Sequence, residues 1–416
     1  MNPRIHLPRI VAPLAALTTL LTLSACSSSG DAGSADGLTL WYRPGSVPTA
    51  AIDGVQKQFP DLKIKLVKVP DLETKLKLAL QTGTGTPDIA VIGNSISSYA
   101  SIETKFADLK SLGADTSKDY VTWKWANGTT PNGRVIGFPI DTGPQGLFYR
   151  TDLFKKAGLP TTPEKVSALV STWDGYRTLA EKAAKAGFKA CDDASQVYNL
   201  HLQQKGQGYF DKSDKYIGGN ALSKAAFDYS AELLTDGLCA KATAYSTDWS
   251  SAVAQNKLGA FVGPVYEGPL IASAGSPSGV WRVAEPPGGA GSSGGSFLSV
   301  LSSAKDQKGA YKVVSWMMNA SNQASGYAKD GLFPSSLAAF DDSRLTAGQS
   351  YYGGQQVGSL FAEVVEDSPT VYVAPDSSVA ESTIQLGLTK VSQGKASASK
   401  AWSEAQSKVA EQLSRG

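Results

Sequence analysis

Between Leu38 and Asn94 the spacing of apolar residues switches twice from a strand period to a helix period and back, and no feature of the chain limits its fold more. LTLWY (residues 38–42) reads as a strand, and TAAIDGVQKQF before Pro60 reads as a helix. LKIKLVKV (residues 62–69) alternates Leu, Ile, Leu and Val with basic residues, as a strand with one wetter face does. DLETKLKLALQTG then sets Leu72, Leu76, Ala79 and Leu80 on one helical face, with Asp71 as cap and Gly83 as stop. PDIAVIGNS follows as a buried strand ending in Gly93-Asn94. This is a βαβαβ order, and right-handed crossovers make it a parallel sheet covered by helices. Ligands of such sheets sit beyond the carboxyl ends of the strands, where Trp41, Tyr42, Arg43, Asn94 and Ser95 fall.

The start of the chain indicates where it works. Arg4 and Arg9 precede a charge-free apolar run over residues 10–23, too short to span a bilayer comfortably and ordered like an export signal. Leu23-Ser24-Ala25-Cys26 resembles the lipobox of bacterial lipoproteins, which implies removal of residues 1–25 and acylation of Cys26. Acyl chains, at about 0.8 kcal/mol per buried methylene, hold such a protein stably to a membrane surface. The polar stretch SSSGDAGSADG has almost nothing to bury, so residues 26–37 are expected to be a flexible tether.

Loss of residues 1–25 removes Arg4 and Arg9 from a total of 39 Lys and Arg, against 37 Asp and Glu, so the mature charge is near zero. A phosphate-binding surface needs a basic excess or stripe, and none is present, which argues against nucleic acid. About 380 residues remain, too many for one ordinary core and suited to two lobes. His201 is the sole histidine after removal of the signal, which argues against a His-rich zinc site and leaves a Ser-His-Asp triad one base and no GxSxG elbow. No metal, cofactor or catalytic residue is expected. With Cys26 carrying lipid, Cys191 and Cys239 are left outside the cell, where thiols oxidise. A bridge between them closes a loop of 48 residues, worth on the order of 4 kcal/mol in the chain-entropy model; two buried free thiols are the alternative.

Past Arg150 the chain is mostly helical. TWDGYRTLAEKAAKAG has Thr172 as N-cap and Gly187 as stop, Trp173 packs at that helix start, and Trp402, Ala405, Val409 and Leu413 form a core-facing stripe in the last helix. Gly289, Gly291 and Gly294 in GGAGSSGG have GxGxxG spacing, but Pro286-Pro287 precede them and the strand-like SFLSVL follows. A dinucleotide loop lies between a strand and a helix, so this is a loop feeding a strand. GRVIGFPIDTGPQGLFYR holds two short apolar strands around Asp141-Thr142-Gly143-Pro144-Gln145, and locally the break reads equally as a hairpin tip or as a passage between lobes.

The order of segments resembles the extracellular solute-binding lipoproteins of carbohydrate ABC importers, the family (family 1) that includes maltose-binding protein. LTLWY, KLKLALQTGTGTPDIAVIGN, FADLKSL, GRVIGFPIDTGPQGLFYRTDLFKKAGLP, TWDGY, QNKLGAFVGPVYEGP, the Gly-Gly-Ser before FLSVL, GLFPSS and YYGGQ match in order over nearly all of residues 37–413. Arg150 and Thr151 stand where the family often has Asn and Lys. The resemblance implies a two-lobe α/β fold of type II, each lobe a mixed, mostly parallel sheet flanked by helices, with the ligand cleft between lobes. Residues 141–145 then cross between lobes, with further crossings near residues 294–298 and 332–334. The first lobe comprises residues 38–141 and about 296–332, and the second residues 142–295 and about 333–416.

The implied function is capture of an extracellular sugar or oligosaccharide by lobe closure, without chemistry, and its delivery to the importer's permease subunits by a monomer lipid-anchored outside the cytoplasmic membrane. Sugar hydroxyls want carboxylate, amide and guanidinium partners, and sugar C–H faces stack on aromatic rings. The expected polar ligands are Arg43, Asn94, Asp141 and Glu267, with Tyr42, Trp249 and Tyr266 as walls. Trp123 and Trp125 either line the cleft rim or cover a loop. The alternatives are a non-sugar solute such as a glycerophosphodiester or polyamine, a lipoprotein sensor or adhesin, and a secreted glycoside hydrolase, which needs two carboxylates about 5 to 9.5 Å apart.

Overall fold

The computed structural model describes residues 37–114 and 117–415; the export signal, Cys26 and all of the tether but Gly37 lie outside them. The strands in chain order are β1 (Gly37–Tyr42), β2 (Lys63–Lys68), β3 (Ile89–Ile92), β4 (Phe138–Pro139), β5 (Asp141–Thr142), β6 (Gln145–Arg150), β7 (Ala260–Pro264), β8 (Trp281–Ala284), β9 (Phe297–Val300) and β10 (Phe333–Pro334). They form a five-stranded sheet in the order β2-β1-β3-β9-β4, a three-stranded sheet β7-β6-β8 and the pair β10-β5.

The βαβαβ start folds as its periodicity dictates. Helices Thr49–Gln58 and Leu72–Thr82 carry the chain between β1, β2 and β3, and β1 runs parallel to both neighbours. Gly83 ends the second helix in the left-handed conformation, at φ 68°, which L side chains avoid. Asp71 occupies the cap position without its side chain bonding there. β2 alternates exposed and half-buried residues, as an edge strand with lysines does.

The expectation of a mixed, mostly parallel sheet holds in the first lobe, where β9 alone runs against β1, β2, β3 and β4, and is corrected in the second, where β6 is antiparallel to both β7 and β8. A parallel partner needs a crossover that returns the chain to the edge where the strand began. The helical stretch between β6 and β7 delivers β7 from the opposite end, and the chain between β7 and β8 returns to the end where β7 began, so both flank β6 antiparallel. β9 likewise enters the first sheet from the second lobe, against the direction of β3.

Strand alternation divides the second lobe's core. Leu147 and Tyr149 of β6 face a large cluster with the helices Trp173–Lys185, Ser195–Gln203, Ala221–Thr235, Ser377–Ser392 and Ala398–Leu413. Phe148 faces the other way, stacking on Phe261 at 5.0 Å in a cluster with Trp281 and Phe361. Thr172 caps its helix by accepting the Gly175 N–H, and Trp402 is in the core, both as the sequence suggests. His201 is half-buried on its helix, its ring stacked 3.7 Å from Trp173 and its Nδ1 2.9 Å from the Val197 carbonyl.

GRVIGFPIDTGPQGLFYR is not a hairpin. β4 pairs with β9 in the first sheet and β6 with β7 and β8 in the second, so residues 140–145 cross from one lobe to the other. Two more segments accompany them. β10 pairs antiparallel with β5, and residues 291–296 return alongside through Ser293 N–H to Gly143 O (2.9 Å) and Ile140 N–H to Ser296 O (2.9 Å).

Cys191 and Cys239 are joined, with Cα atoms 4.3 Å apart, and tie the chain before helix Ser195–Gln203 to the end of helix Ala221–Thr235. Replacing both by Ser is expected to lower the unfolding free energy by about 2–5 kcal/mol, read by urea denaturation in the absence of reductant. An unchanged midpoint would mean that the bond is not formed.

Candidate functional site

Between the two sheets, over the crossings, lies a cavity of about 740 Å³. The carboxyl ends of β1 and β3 supply Arg43, Asn94 and Ser95; helix Leu72–Thr82 adds Glu73. The crossings provide the floor, with Asp141, Gly295 and Ser296, and the second lobe closes it with Tyr245, Tyr266, Ser377 and Glu381. An adjoining chamber of about 100 Å³ shares Asn94, Ser377 and Glu381, and is lined by Asn127, Asn199, Gln203 and Gln207 with Trp123, Tyr209 and Tyr372 as aromatic walls.

Asp141 is 6% exposed, and its Oδ1 accepts the Ser296 N–H at 2.7 Å, so one crossing strand holds the cavity-lining acid on another. Burial pushes the Asp141 carboxyl up, against the pull of Lys124, of the Ser296 N–H and of Arg43. Arg43 makes no salt bridge among the described residues, so its guanidinium faces the cavity with its donors uncommitted. Glu73 accepts the Ser95 hydroxyl at 3.1 Å. Glu381 accepts the Asn199 amide at 3.0 Å, and burial raises its carboxyl despite that bond. Burial pushes the Tyr266 phenol well up. Gly143 permits the close floor: a Cβ there would stand 1.9 Å from the Ser293 carbonyl oxygen and 2.9 Å from the Tyr266 ring.

Three polar atoms around the narrower chamber, Gln203 Oε1, Ser292 Oγ and Ser377 Oγ, are buried without a hydrogen-bond partner among the described residues. Buried polar groups are costly unless bonded, so this wall holds unused hydrogen-bonding capacity. Among the described residues no group of His, Cys, Asp and Glu is arranged to hold a metal ion.

Of the residues expected from the sequence, the structure brings Arg43, Asn94, Asp141 and Tyr266 to the cavity. It keeps three away. Tyr42 is 6% exposed in the first lobe's core, because β1 still carries it and the chain leaves the sheet only at the next residue. Trp249 is fully buried, edge-on to Phe261 at 5.2 Å. Ser246 caps its helix, and Trp249 and Val253 then share the core-facing side four residues apart, a pairing visible in the sequence. Glu267 is 2% exposed behind Tyr266, its carboxyl raised by burial and by Asp192 and Asp193.

Sequence reasoning missed Glu73, Tyr245, Ser377, Glu381 and the amides. The repeat of Asn199 and Gln203 at helical spacing was a usable signal, as was Ser377 four residues before Glu381. Trp123, left open, lines the narrower chamber and donates its Nε1–H to the Val365 carbonyl at 3.2 Å; Trp125 is in the first lobe's core.

Comparison with known proteins agrees with this architecture. A model of the family described as bacterial extracellular solute-binding protein matches residues 50–349. A lactose-binding protein of Rhizobium radiobacter is 28% identical over 392 residues, covering 86% of this chain and 87% of that one. An arabinooligosaccharide-binding protein of Bacillus subtilis is 28% identical over 241 residues; that alignment spans about half of each chain, 53% and 53%. A crystal structure of an extracellular solute-binding protein of family 1 superposes with a TM-score of 0.84 at 28% identity, over 90% of this chain and 99% of that one.

Trp249→Ala is expected to cost about 3–5 kcal/mol of stability by opening a core cavity. Tyr245→Ala, at a side chain 65% exposed, is expected to stay within about 0.5 kcal/mol of wild type. Urea denaturation of the two variants reads both; similar losses would contradict this division into core and cleft.

Proposed function

The chain belongs to the bacterial extracellular solute-binding proteins, and from that premise we propose that it captures a carbohydrate in the cavity over its three crossings and presents it, chemically unchanged, to an ABC importer. The observation that carries this reading is the composition of the cavity wall. Carboxylates, amides and an uncommitted guanidinium stand beside tyrosine and tryptophan faces, which suits the hydroxyl rings and apolar C–H faces of a sugar. The names of the lactose- and arabinooligosaccharide-binding relatives point the same way. Arg43 and Asp141 act as the main polar ligands, Asn94 and Glu381 as further partners, and Tyr266 as a wall. The lobes, residues 38–141 with about 296–332 and residues 142–295 with about 333–416, close by rotating about the crossings. Cys26 carries the lipid that keeps the protein, a monomer, at the outer face of the cytoplasmic membrane, within reach of the permease.

Mono- and oligosaccharides, lactose and arabinotriose among them, are expected to raise the melting temperature, since a ligand at one hundred times its dissociation constant adds about 2.7 kcal/mol to the folded state. Arg43→Ala is expected to weaken binding by about tenfold or more in calorimetric titration, the scale of a lost charged hydrogen bond. A glycerophosphodiester or polyamine that shifts melting where no sugar does would replace the sugar assignment. Release of smaller sugars from an oligosaccharide would replace binding by hydrolysis.

A further inference from the structure

Four large apolar side chains are exposed among the described residues, Leu78, Ile102, Tyr245 and Leu386, and of these only Tyr245 lines the cavity over the crossings. Among the described residues its ring pairs with no other aromatic ring, and its hydroxyl bonds to no neighbour. The local sequence explains where it points. In CAKATAYS the alternate residues Ala240, Ala242 and Ala244 pack toward the cluster that holds Trp249, which turns Lys241, Thr243 and Tyr245 outward.

This segment is tied at both ends. Cys239 is bonded to Cys191, and the Ala240 and Lys241 N–H groups donate to the Cys191 and Asp192 carbonyls, each at 2.7 Å. At the other end the Ser246 N–H donates to the Thr243 carbonyl at 3.1 Å, and the Ser246 hydroxyl accepts the Trp249 N–H at 3.1 Å, capping the helix Thr247–Ala254. Between these ties Tyr245 has φ 69°, in the left-handed region that bulky side chains avoid.

Neither the backbone nor the core asks for a tyrosine here. Glycine or asparagine enters the left-handed region more readily, and a ring left in water adds nothing to the core. Backbone strain of this kind persists only where the surroundings over-determine it, and it clusters at ligand clamps. The surroundings are a disulfide and a helix cap, and what they hold in place is an aromatic face on the second lobe's side of the cavity. Tyr266 is placed differently: its ring lies 2.9 Å from where a Cβ on Gly143 would stand, so it belongs to the floor beside the crossings. Tyr245, 65% exposed, belongs to the lip, and the first lobe's turn of residues 43–46 lines the same cavity from the other side.

From this placement, and resting on the carbohydrate reading above, we propose that Tyr245 is a stacking platform: the apolar C–H face of a sugar ring lies on its phenol ring, while hydroxyls of the same ligand reach Arg43 and Asp141. A tyrosine side chain has only two torsions to order, and its backbone is fixed before the ligand arrives. Little of the stacking free energy is then lost on immobilising the platform.

The test sets Tyr245→Ala beside Tyr245→Phe, both titrated calorimetrically with lactose and arabinotriose and both melted without ligand. Tyr245→Ala is expected to weaken binding by about tenfold while melting within about 2 °C of the wild type. Tyr245→Phe restores the ring and is expected to recover affinity to within about threefold of the wild type. A Tyr245→Ala protein that binds as tightly as the wild type overturns the inference. So does a Tyr245→Phe protein that binds as weakly as Tyr245→Ala, because the hydroxyl and not the ring is then the contact. Weakened binding in Tyr245→Ala with a melting loss as large as that of Trp249→Ala makes the residue structural and overturns the inference as well. If Tyr245→Ala does not fold, Tyr245→Asn, which tolerates the left-handed backbone and lacks the ring, is read in its place. If neither sugar binds the wild type, the carbohydrate reading fails and the platform falls with it; wild-type binding that survives removal of the ring sinks the platform alone.

Discussion

The pairing of β5 with β10, with residues 291–296 alongside, is the constraint on which the rest of the structure depends. Three chain passages run side by side for only a few residues, bonded backbone to backbone, and they connect two bodies whose largest hydrophobic clusters are separate, while a third cluster draws Val121, Trp123, Ala324 and Tyr327 of the first to the second. Such a ribbon resists stretching but yields to rotation, the mechanical requirement for lobes that close on a ligand. Its closeness demands Gly143, where any side chain would strike the Ser293 carbonyl. Because Asp141 belongs to the ribbon and is fixed by the Ser296 N–H of the adjacent passage, the cavity floor and the hinge are the same residues.

Placing polar and charged groups on that floor carries a cost in folding free energy. Asp141, Glu381 and Lys124 are each shifted toward their neutral forms by burial before any partner acts on them. Gln203, Ser292 and Ser377 hold buried atoms without partners among the described residues. A wall built only for stability would be apolar or internally bonded. This one spends stability on hydrogen-bonding capacity, as a site shaped for a hydroxyl-rich guest does. The Cys191–Cys239 bond lies outside the cleft and offsets part of that cost.

The two-lobe α/β fold was legible because its signals are local. Periodicity gave the βαβαβ start, Thr172 and Gly83 marked helix ends, and Trp402 showed its core-facing stripe. Strand direction was not legible: whether β6 meets its neighbours parallel or antiparallel depends on how long helical segments return the chain, which no local pattern records. The crossing at residues 140–145 was ambiguous for a related reason, since Gly143-Pro144 serves a turn and a passage equally well. The rule that ligands sit beyond strand ends placed Arg43 and Asn94 at the cavity but carried Tyr42 one residue too far. Trp249 misled because an aromatic residue near a polar stretch looks like a stacking platform, although its spacing to Val253 marked it as core.

The central claim is that an intact carbohydrate occupies the cavity over the crossings. The most direct measurement is a crystal structure grown with the sugar that stabilises the protein most. The account predicts density for the uncleaved molecule, with hydroxyls within hydrogen-bond reach of Arg43 and Asp141 and a ring face against Tyr266. Density for a sugar bound elsewhere, with this cavity holding only solvent, or for a cleaved product within it, would contradict the account.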